Sequence, residues 1–286
     1  MFKFGPKLRK KSFRETQPMK ISFLIKEYVK WRIRSKTRHG VHSPFLYQFL
    51  DQCLYNMETQ IAQFEIPENQ RRKLKKDPTI LEYIDPGAGT RKQKPKTSLD
   101  HKRKNRVCDI ARNSLQRPKN CRLFYRMIHY FRYHNVLELG TSFGITASYM
   151  SLAGEHVKID TIEGAQPIAD IAEKYFTENG FTNISLHRGN FDQKLDEVIT
   201  NKKYDLILID GNHHGDKTYD YFHKLTKHMN ERGVIIVDDI RWSESMHGAW
   251  QKIKLHPDVK ISIDLFSMGM VFFNKGFTKE EFAIRF

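Results

Sequence analysis

The sequence has 286 residues, 39% of them hydrophobic and 12% aromatic, with a net charge of +16. A chain of this length can bury a full core as one large domain or as one domain with an appendage. No apolar run approaches the roughly 18–20 residues of a membrane span, and the basic start lacks the apolar stretch of a signal peptide. Cys53, Cys108 and Cys121 are too few and too far apart for a disulfide framework or a zinc ribbon, so we expect a reduced, cytoplasmic protein.

The positive charge lies in one half of the chain. Residues 1–135 hold 32 Lys and Arg against 11 Asp and Glu, a net of +21, whereas residues 136–286 hold 17 against 22, a net of −5. This asymmetry predicts two parts with different roles, which we place at residues 1–120, a basic helical cap, and residues 121–286, an α/β domain. The basic half is also a candidate surface for an anionic partner.

The first part is predicted to consist of helices separated by loops. Apolar residues at roughly helical spacing indicate helices within residues 20–37 and after Pro44, and residues 67–76 are polar but helix-like. Residues 85–106 contain two prolines, two glycines and a basic run with hardly any apolar residue, so we predict a loop there. Helical periodicity returns in VCDIARNSL and CRLFYRMIHYF.

The second part alternates short apolar runs with helical stretches. The runs are NVLELG, VKIDTIEG, NISLHRG, YDLILIDG and GVIIVDD. Such alternation predicts parallel strands joined by right-handed crossovers, with helices on both faces. The closing stretch VKISIDLFSMGMVFFNK has no room for a crossover helix and predicts an antiparallel hairpin. We therefore predict an α/β fold with a doubly wound, Rossmann-like sheet of seven strands, parallel apart from the hairpin.

The first of these strands ends in Glu138-x-Gly140-x-x-x-Gly144. In a doubly wound sheet, ligands bind beyond the carboxyl ends of the strands, and glycine there lets the backbone approach a ligand. The spacing matches neither the dinucleotide loop G-x-G-x-x-G nor the phosphate loop G-x-x-x-x-G-K-[ST]. An acid at position 138 would repel a pyrophosphate but suits a cationic or amino-bearing ligand. Glu163 ends the second strand, where an acid can accept both ribose hydroxyls.

These residues resemble the motifs of class I S-adenosylmethionine-dependent methyltransferases, and the similarity covers about residues 130–286. The resemblance implies S-adenosylmethionine as the cofactor, with the glycine loop against its aminoacyl end and Glu163 on its ribose. Asn190, after the third strand, would lie near the adenine, where an Asp is more common. The positions that the resemblance assigns to the cofactor are Glu138, Gly140, Thr141, Gly144, Glu163, Asn190 and Asp210.

Three carboxylates follow the fourth and fifth strands, Asp210 in LILIDGNHH and Asp238 with Asp239 in VIIVDDI. Neighbouring acids at strand ends repel each other unless a cation or hydrogen-bond donors lie between them. Mg²⁺ prefers oxygen ligands of this kind. The arrangement is similar to that of metal-dependent O-methyltransferases, whose metal ligands match these three residues. The resemblance thus predicts that activity requires a divalent cation, with Mg²⁺ as the candidate.

The catalytic candidates are Asp210 and His213. The catechol type of these metal-dependent O-methyltransferases has a lysine three residues after the first Asp, and this chain has His213 in that place. A histidine can act as general base because its pKa lies near the working pH. The alternative interpretation is that His213 and His214 begin a helix and contact solvent.

The acceptor class is narrowed by motifs that the sequence lacks. An Asp/Asn-Pro-Pro-aromatic turn, typical of adenine amino-methylation, is absent after strand four, and no cysteine follows a proline as cytosine-C5 methylation requires. O-methylation of a small-molecule, sugar or lipid-linked hydroxyl is therefore the leading prediction. The main alternative is a methyltransferase acting on RNA or another polyanion through the basic N-terminal half. A third interpretation is a non-catalytic module that binds S-adenosylmethionine.

Two segments of the first part carry further predictions. YIDPGAGT at residues 83–90 imitates the glycine motif, but it lacks a preceding apolar strand and contains Pro86, so we predict a lid or a substrate-loop turn. The N-terminal helices are expected to cap the carboxyl ends of the strands, with HGVHSPF near the acceptor. His39, His42 and Ser43 of this motif would bring polar groups to that position.

Overall fold

The computed structural model describes residues 21–56, 61–85 and 101–286. The helices are α1 (Ile21–Arg34), α2 (Pro44–Phe49), α3 (Glu65–Leu74), α4 (Val107–Ser114), α5 (Pro118–Phe131), α6 (Ile145–Ser151), α7 (Gln166–Glu178), α8 (Phe191–Ile199), α9 (Gly215–Thr226) and α10 (Glu244–Leu255). The strands are β1 (Ile80–Asp85), β2 (His101–Arg106), β3 (Asn135–Leu139), β4 (Lys158–Glu163), β5 (Ile184–Arg188), β6 (Tyr204–Ile209), β7 (Met229–Val237), β8 (Ile261–Asp264), β9 (Gly269–Phe272) and β10 (Glu280–Ala283). Every helix in the described part of the chain is too short or too polar to cross a lipid bilayer.

The central sheet has the strand order β10-β8-β9-β7-β6-β3-β4-β5, and β9 alone runs antiparallel to its neighbours. This order confirms the predicted doubly wound fold with its closing hairpin, β8–β9. The predicted count of seven strands was one too few, because the short edge strand β10 pairs with β8. The strand order reverses at β3, which has β4 on one side and β6 on the other. Such a switch point opens a crevice for a ligand beyond the carboxyl ends of the strands.

The central strands read as continuous apolar runs because helices cover both faces of the sheet. In β6, Leu206, Ile207 and Leu208 are all fully buried, and burying each such side chain contributes about 1.5–3 kcal/mol. One face packs against helices α2 to α7 in a single core cluster. The other face packs against α8, α9 and α10.

Helix α5 ties the N-terminal region to the sheet. It begins at Pro118, where a missing N–H costs nothing, and is capped by Arg132 in the left-handed region, at φ 54°. The predicted boundary between the N-terminal cap and the α/β domain, at residues 120 and 121, falls inside this helix. The division of the chain into these two parts stays a prediction. The buried residues of α5 that join the same core as β3 and β6 lie on nearly all sides of the helix, as in a helix that is enclosed by the protein: Cys121, Leu123, Phe124, Tyr125, Met127 and Ile128.

Strand β2 corrects the prediction of a loop over residues 85–106. It pairs antiparallel with β1, with Ile80 opposite Arg106, and Lys104 forms an exposed ion pair with Glu82 at 2.7 Å. The sequence HKRKNR has no apolar residue, so backbone pairing rather than burial makes it a strand. The first three residues of YIDPGAGT therefore belong to a strand, although to one of this hairpin and not of the central sheet. Its residues 86–90, with the predicted lid, lie outside the described residues, as does most of the basic run after them.

The motif HGVHSPF does not lie where the sequence analysis expected it. Phe45 packs against Phe272, with ring centroids 5.1 Å apart, and Phe272 lies opposite Ile261, the first residue of β8. This position is at the amino ends of the parallel strands, and His39 and His42 are exposed. The prediction that the motif lies near the acceptor is wrong.

Two other parts of the N-terminal region do reach the carboxyl ends of the strands. Trp31 of α1 donates from Nε1 to the carbonyl oxygen of Asp264, the last residue of β8, at 3.0 Å. Gln116, between α4 and α5, contacts the residues that follow β6 and β7. N-terminal helices were expected over the carboxyl ends of the strands, and α1 and the segment around Gln116 are the described parts of the N-terminal region that reach them.

Candidate active site

The glycine loop follows β3 at the switch point. Gly140 has φ 109°, and a Cβ built on it would lie 2.1 Å from the carbonyl oxygen of Asp210. Gly144 has φ 79°, and its Cβ would lie 2.5 Å from the ring of Phe176. Both positions therefore require glycine because other parts of the chain approach closely, and both have backbone angles that suit glycine. A side chain at position 140 would meet the backbone after β6.

Glu138 lies fully buried beneath this loop. Thr161 donates from Oγ1 to Glu138 Oε2 at 2.6 Å, and the Thr161 hydroxyl also contacts the Thr141 hydroxyl at 2.6 Å. The second carboxylate oxygen, Oε1, is buried without a hydrogen-bond partner among the described residues. Burial raises the pKa of Glu138 well above its usual range, and the charges of Asp210 and Glu163 add to this rise against the hydrogen bond from Thr161.

Glu163 joins the glycine loop to the end of β4. Its carboxylate accepts a hydrogen bond from the Ser142 N–H at 2.8 Å and another from the Ala165 N–H at 2.8 Å. Ser142 has φ 48°, a left-handed conformation that is uncommon outside glycine. The carboxylate thus holds the loop in an otherwise unfavourable shape and orders the start of α7.

Asn190 and Thr141 complete the predicted cofactor set, and the structure gives each a local partner. Asn190 is the N-cap of α8, since its Oδ1 accepts a hydrogen bond from the Asp192 N–H at 3.0 Å. Thr141 contacts the buried hydroxyl of Thr161. Both residues lie at the carboxyl edge, and their roles toward a cofactor stay predictions.

Asp210 and Asp238 follow the neighbouring strands β6 and β7, and the side chain of Gln116 bridges them. Its Nε2 donates to Asp210 Oδ2 at 2.9 Å and also to Asp238 Oδ2. Its Oε1 accepts from Asn120 Nδ2 at 2.9 Å, and this pairing sets the orientation of the amide. Gln116 is 7% exposed, and the buried Arg71 donates to its backbone carbonyl at 2.6 Å.

Burial governs the charge of this carboxylate pair. It raises the pKa of Asp210 above its usual value, while the charge of His213 and the amide of Gln116 oppose the rise. It also raises the pKa of Asp238 well above its usual value, and the charges of Asp210 and Asp239 add to that rise. The direction for both residues follows from removing two adjacent acids from water.

The loops that carry the pair are conformationally strained. Asn212, His213 and Asp239 have φ values of 67°, 45° and 51°. The ring of His213 lies 5.5 Å from the ring of Trp242. Asn212 donates to the Tyr221 hydroxyl at 3.1 Å, while its own Oδ1 is buried without a partner among the described residues. Strained non-glycine residues cost about 1–3 kcal/mol each and cluster at functional sites.

The predicted metal ligands do not form a cation site in this arrangement. Within residues 21–56, 61–85 and 101–286, no three His, Cys, Asp or Glu side chains are grouped as metal ligands. The amide nitrogen of Gln116 donates one N–H to Asp210 and the other to Asp238. It therefore lies between the two carboxylates, in the place that a cation bound by both would take. An amide hydrogen offers no lone pair to a metal. The residues present therefore suit a hydrogen-bonded carboxylate pair better than they suit Mg²⁺.

Comparison with known proteins identifies the segment that holds these residues. Residues 137–240, from β3 to the loop after β7, match the family model of a methyltransferase domain. This segment is a methyltransferase domain. No curated protein is significantly similar to the chain in sequence.

Solved structures share the fold of the methyltransferase domain. A putative caffeoyl-CoA O-methyltransferase from Staphylococcus aureus has a TM-score of 0.51 at 16% identity, over 57% of this chain and 86% of that one. The SAH-bound methyltransferase PaMTH1 from Podospora anserina has a TM-score of 0.50 at 14% identity, over 56% and 80%. Cofactor-bound Rv0187 from MTB has a TM-score of 0.50 at 17% identity, over 57% and 83%. At these identities the similarity is one of fold, and it confirms the predicted Rossmann-like methyltransferase architecture.

Two residues of the site, Gln116 and Asn212, are not among those predicted from the sequence. Gln116 lies in a polar connection 94 residues before Asp210, and no local pattern marks it. Asn212 stands in the quoted IDGNHH motif, and its position directly after a strand-end Asp-Gly was the available signal. The role of Gln116 follows only from the tertiary structure, whereas Asn212 could have been predicted from its position in the sequence.

Proposed function

We propose that the chain is an S-adenosylmethionine-dependent methyltransferase that methylates a hydroxyl oxygen of a small molecule, a sugar or a lipid-linked group. The supporting observation is the buried Glu138 carboxylate at the β3–β6 switch point, whose Oε1 lacks a partner in the described part of the chain. An unpaired buried acceptor costs about 1–3 kcal/mol. A cationic or N–H-bearing ligand in the crevice would supply the missing donor.

Two acidic residues at the crevice, Glu138 and Glu163, fit this cofactor. Glu138 offers a buried acceptor, and Glu163 stands at the end of the adjacent strand β4 with its carboxylate already ordering Ser142. S-adenosylmethionine supplies, when bound, an electrophilic methyl group whose bond to sulfur breaks as a new bond to the acceptor oxygen forms. Asn190 and Thr141 would extend the contacts to the adenine and the loop backbone.

Proton removal from the acceptor is assigned to His213. Its ring lies against Trp242, and its protonated form would lower the pKa of Asp210, because the imidazolium and the carboxylate attract each other. In the proposed reaction His213 takes the hydroxyl proton as the oxygen gains its methyl group, and Asp210 stabilises the imidazolium that results. Because Gln116 already donates to Asp210 and Asp238, no step is assigned to a cation.

The experiment that tests the cofactor is calorimetric titration of the full chain with S-adenosylmethionine and with its demethylated product. We expect micromolar binding of both ligands. The absence of heat at high ligand concentration would overturn the cofactor assignment. Binding without transfer to any acceptor would instead favour the non-catalytic module.

The acceptor is tested by incubating the enzyme with methyl-labelled cofactor and a panel of hydroxylated metabolites, sugars and glycolipids. Mass shifts identify the methylated compound, and expected products carry one added methyl on oxygen. The panel includes RNA, since salt-dependent binding and methylation of RNA would favour the alternative acceptor. The anionic partner and the cytoplasmic location stay predictions.

A further inference from the structure

Helix α1 carries an exposed apolar face. Ten large apolar side chains are exposed in the described part of the chain, and half of them lie on this one helix of 14 residues. They are Ile21 at 78%, Ile25 at 58%, Tyr28 at 46%, Val29 at 49% and Ile33 at 78% exposure. Single exposed apolar residues are ordinary, but a contiguous set of this size marks an interaction site.

Ile21, Ile25, Val29 and Ile33 recur every four residues along the helix, so their side chains form a stripe. The opposite side is held against the protein, where Glu27 and Trp31 are buried. Trp31 bonds to the Asp264 carbonyl, and its ring lies 5.3 Å from that of Phe266. The exposed face is thus presented by a docked helix whose buried side is already occupied.

Basic side chains accompany the apolar face, and by helical spacing Arg32 lies within it while Lys26 lies at its border. Residues 1–40 hold 13 Lys and Arg against two acids, Glu15 and Glu27. Glu27 is buried and receives a 2.7 Å hydrogen bond from Lys30, so it adds no exposed negative charge to the helix. The basic residues of α1 itself, all exposed, are Lys26, Lys30, Arg32 and Arg34.

We propose that α1 docks on the surface of a membrane that contains anionic lipids, lying in the plane of the interface with its isoleucine face inserted. A helix with a wide apolar face and exposed Lys and Arg is the form that binds this interface. Its 14 residues span about 21 Å, which is too short to cross a bilayer but long enough to lie on one.

Charge favours an anionic membrane over two other partners for this face, a second copy of the chain and the chain's own residues 1–20. A second copy would bring the same basic helix against itself, and residues 1–20 carry seven Lys and Arg against one acid. Either partner would place like charges beside each other, which is unfavourable. An anionic lipid surface offers the opposite charge together with an apolar layer, and each Lys or Arg near such a surface contributes about 1 kcal/mol.

The position of α1 gives the docking a direction. Asp264 ends β8, which runs parallel to β7 and β6, so α1 is attached at the sheet edge that carries Asp210 and Asp238. The proposal goes beyond the proposed function and does not depend on it, because the surface would bind lipid whatever the acceptor. A chain bound in this way would have its sheet edge tethered to the membrane.

The test is co-sedimentation of the full chain with vesicles of phosphatidylcholine alone or mixed with phosphatidylglycerol. We expect partition onto the anionic vesicles, little onto the neutral ones, and release at high salt. The double variant Ile25→Gln with Ile33→Gln should weaken partition by about tenfold or more, since two inserted side chains lose their apolar surface. Leu255→Gln, 69% exposed at the end of α10, is the matched control and should bind like wild type.

A second pair of variants tests the charge. Lys26→Gln should weaken partition about fivefold, and Lys275→Gln, exposed elsewhere, should not. Equal binding to both vesicle types, equal losses in the variant and its control, or no binding by the full chain would overturn the proposal. A wild-type dimer that the isoleucine variant dissociates would assign the face to a second copy instead. Unchanged melting of each variant in circular dichroism confirms that a loss is not unfolding.

Discussion

The glycine loop after β3 and the carboxylate pair after β6 and β7 lie at the same edge of the sheet but are built differently. The loop is held by Glu163, which is 21 residues from Ser142 and ends the next strand along the chain. The pair is held by Gln116, which is 94 residues from Asp210 and 122 from Asp238. The first is therefore a local motif that a short stretch of sequence encodes, whereas the second exists only after a distant segment has folded over it.

This difference predicts separate consequences for binding and for turnover. Changes at the loop should act on cofactor affinity or on stability, and changes at the carboxylate edge should act on the chemical step. The following experiments could break that separation.

The largest effect is expected from His213→Gln. Loss of a general base lowers turnover by about 10²–10⁴-fold, while affinity for S-adenosylmethionine should stay close to wild type. The measurements are transfer of labelled methyl and calorimetry. His214→Gln, one residue further, is the control and should keep its turnover. Equal activity of both variants would remove His213 from the mechanism.

Glu163→Gln should act on binding instead. Hydrogen bonds to a charged group contribute about 1.5–3 kcal/mol, so we expect cofactor affinity to fall by roughly 10- to 100-fold. Calorimetry measures the change. The control is Glu173→Gln, which removes an exposed carboxylate of α7 that pairs with Arg188 of β5, and it should leave affinity unchanged. If turnover at saturating cofactor also falls by orders of magnitude, the separation of the two regions is lost.

Gly140→Ala should lower the free energy of unfolding. Its Cβ would lie 2.1 Å from the Asp210 carbonyl oxygen, whereas a Cβ on Gly180 meets nothing within 4 Å. Both glycines have positive φ, so Gly180→Ala reports the backbone strain alone. We expect Gly140→Ala to cost about 2 kcal/mol more than this control in denaturant unfolding. An equal loss of unfolding free energy in the two variants would show that β3 and β6 can move apart without destabilising the fold.

The smallest effect is expected from metal removal. Wild-type turnover should persist in excess chelator, because Gln116 already supplies donors to Asp210 and Asp238. Gln116→Glu replaces those donors with a third carboxylate and should gain Mn²⁺ binding, measured by calorimetry, that wild type lacks. Loss of wild-type activity in chelator, restored by Mg²⁺, would support the metal site that the sequence predicted.

The fold was predictable where burial controls the sequence. The strands β3, β6 and β7 are covered on both faces, so they read as apolar runs, and the acids that end them mark the carboxyl edge. Strand β2 was not predictable, because HKRKNR forms a strand through backbone pairing with β1 and buries little. The short β10, EEFA, lacks any alternation that could distinguish it.

The residues of the candidate site were likewise predictable only where their position along a strand marks them. Glu138, Glu163 and Asp210 were predicted because Glu138 is the last residue but one of β3, Glu163 ends β4 and Asp210 directly follows β6. The reason why Gly140 must be glycine was not predictable, since it depends on where the backbone of Asp210 lies across the switch point. Gln116 lacks a local pattern altogether, and its role depends on Arg71 and Asn120 holding it in place.

The bond from Trp31 to Asp264 has a consequence for synthesis of the chain on the ribosome. Its two ends are 233 residues apart, so α1 is made early and its docking site on β8 is made late. At translation rates of about 5–20 residues per second, the helix waits roughly 10–50 s for that partner. During this interval both faces of α1 are open to the surroundings. A chaperone that recognises basic, apolar helices would therefore meet the nascent chain before the sheet that later covers Trp31.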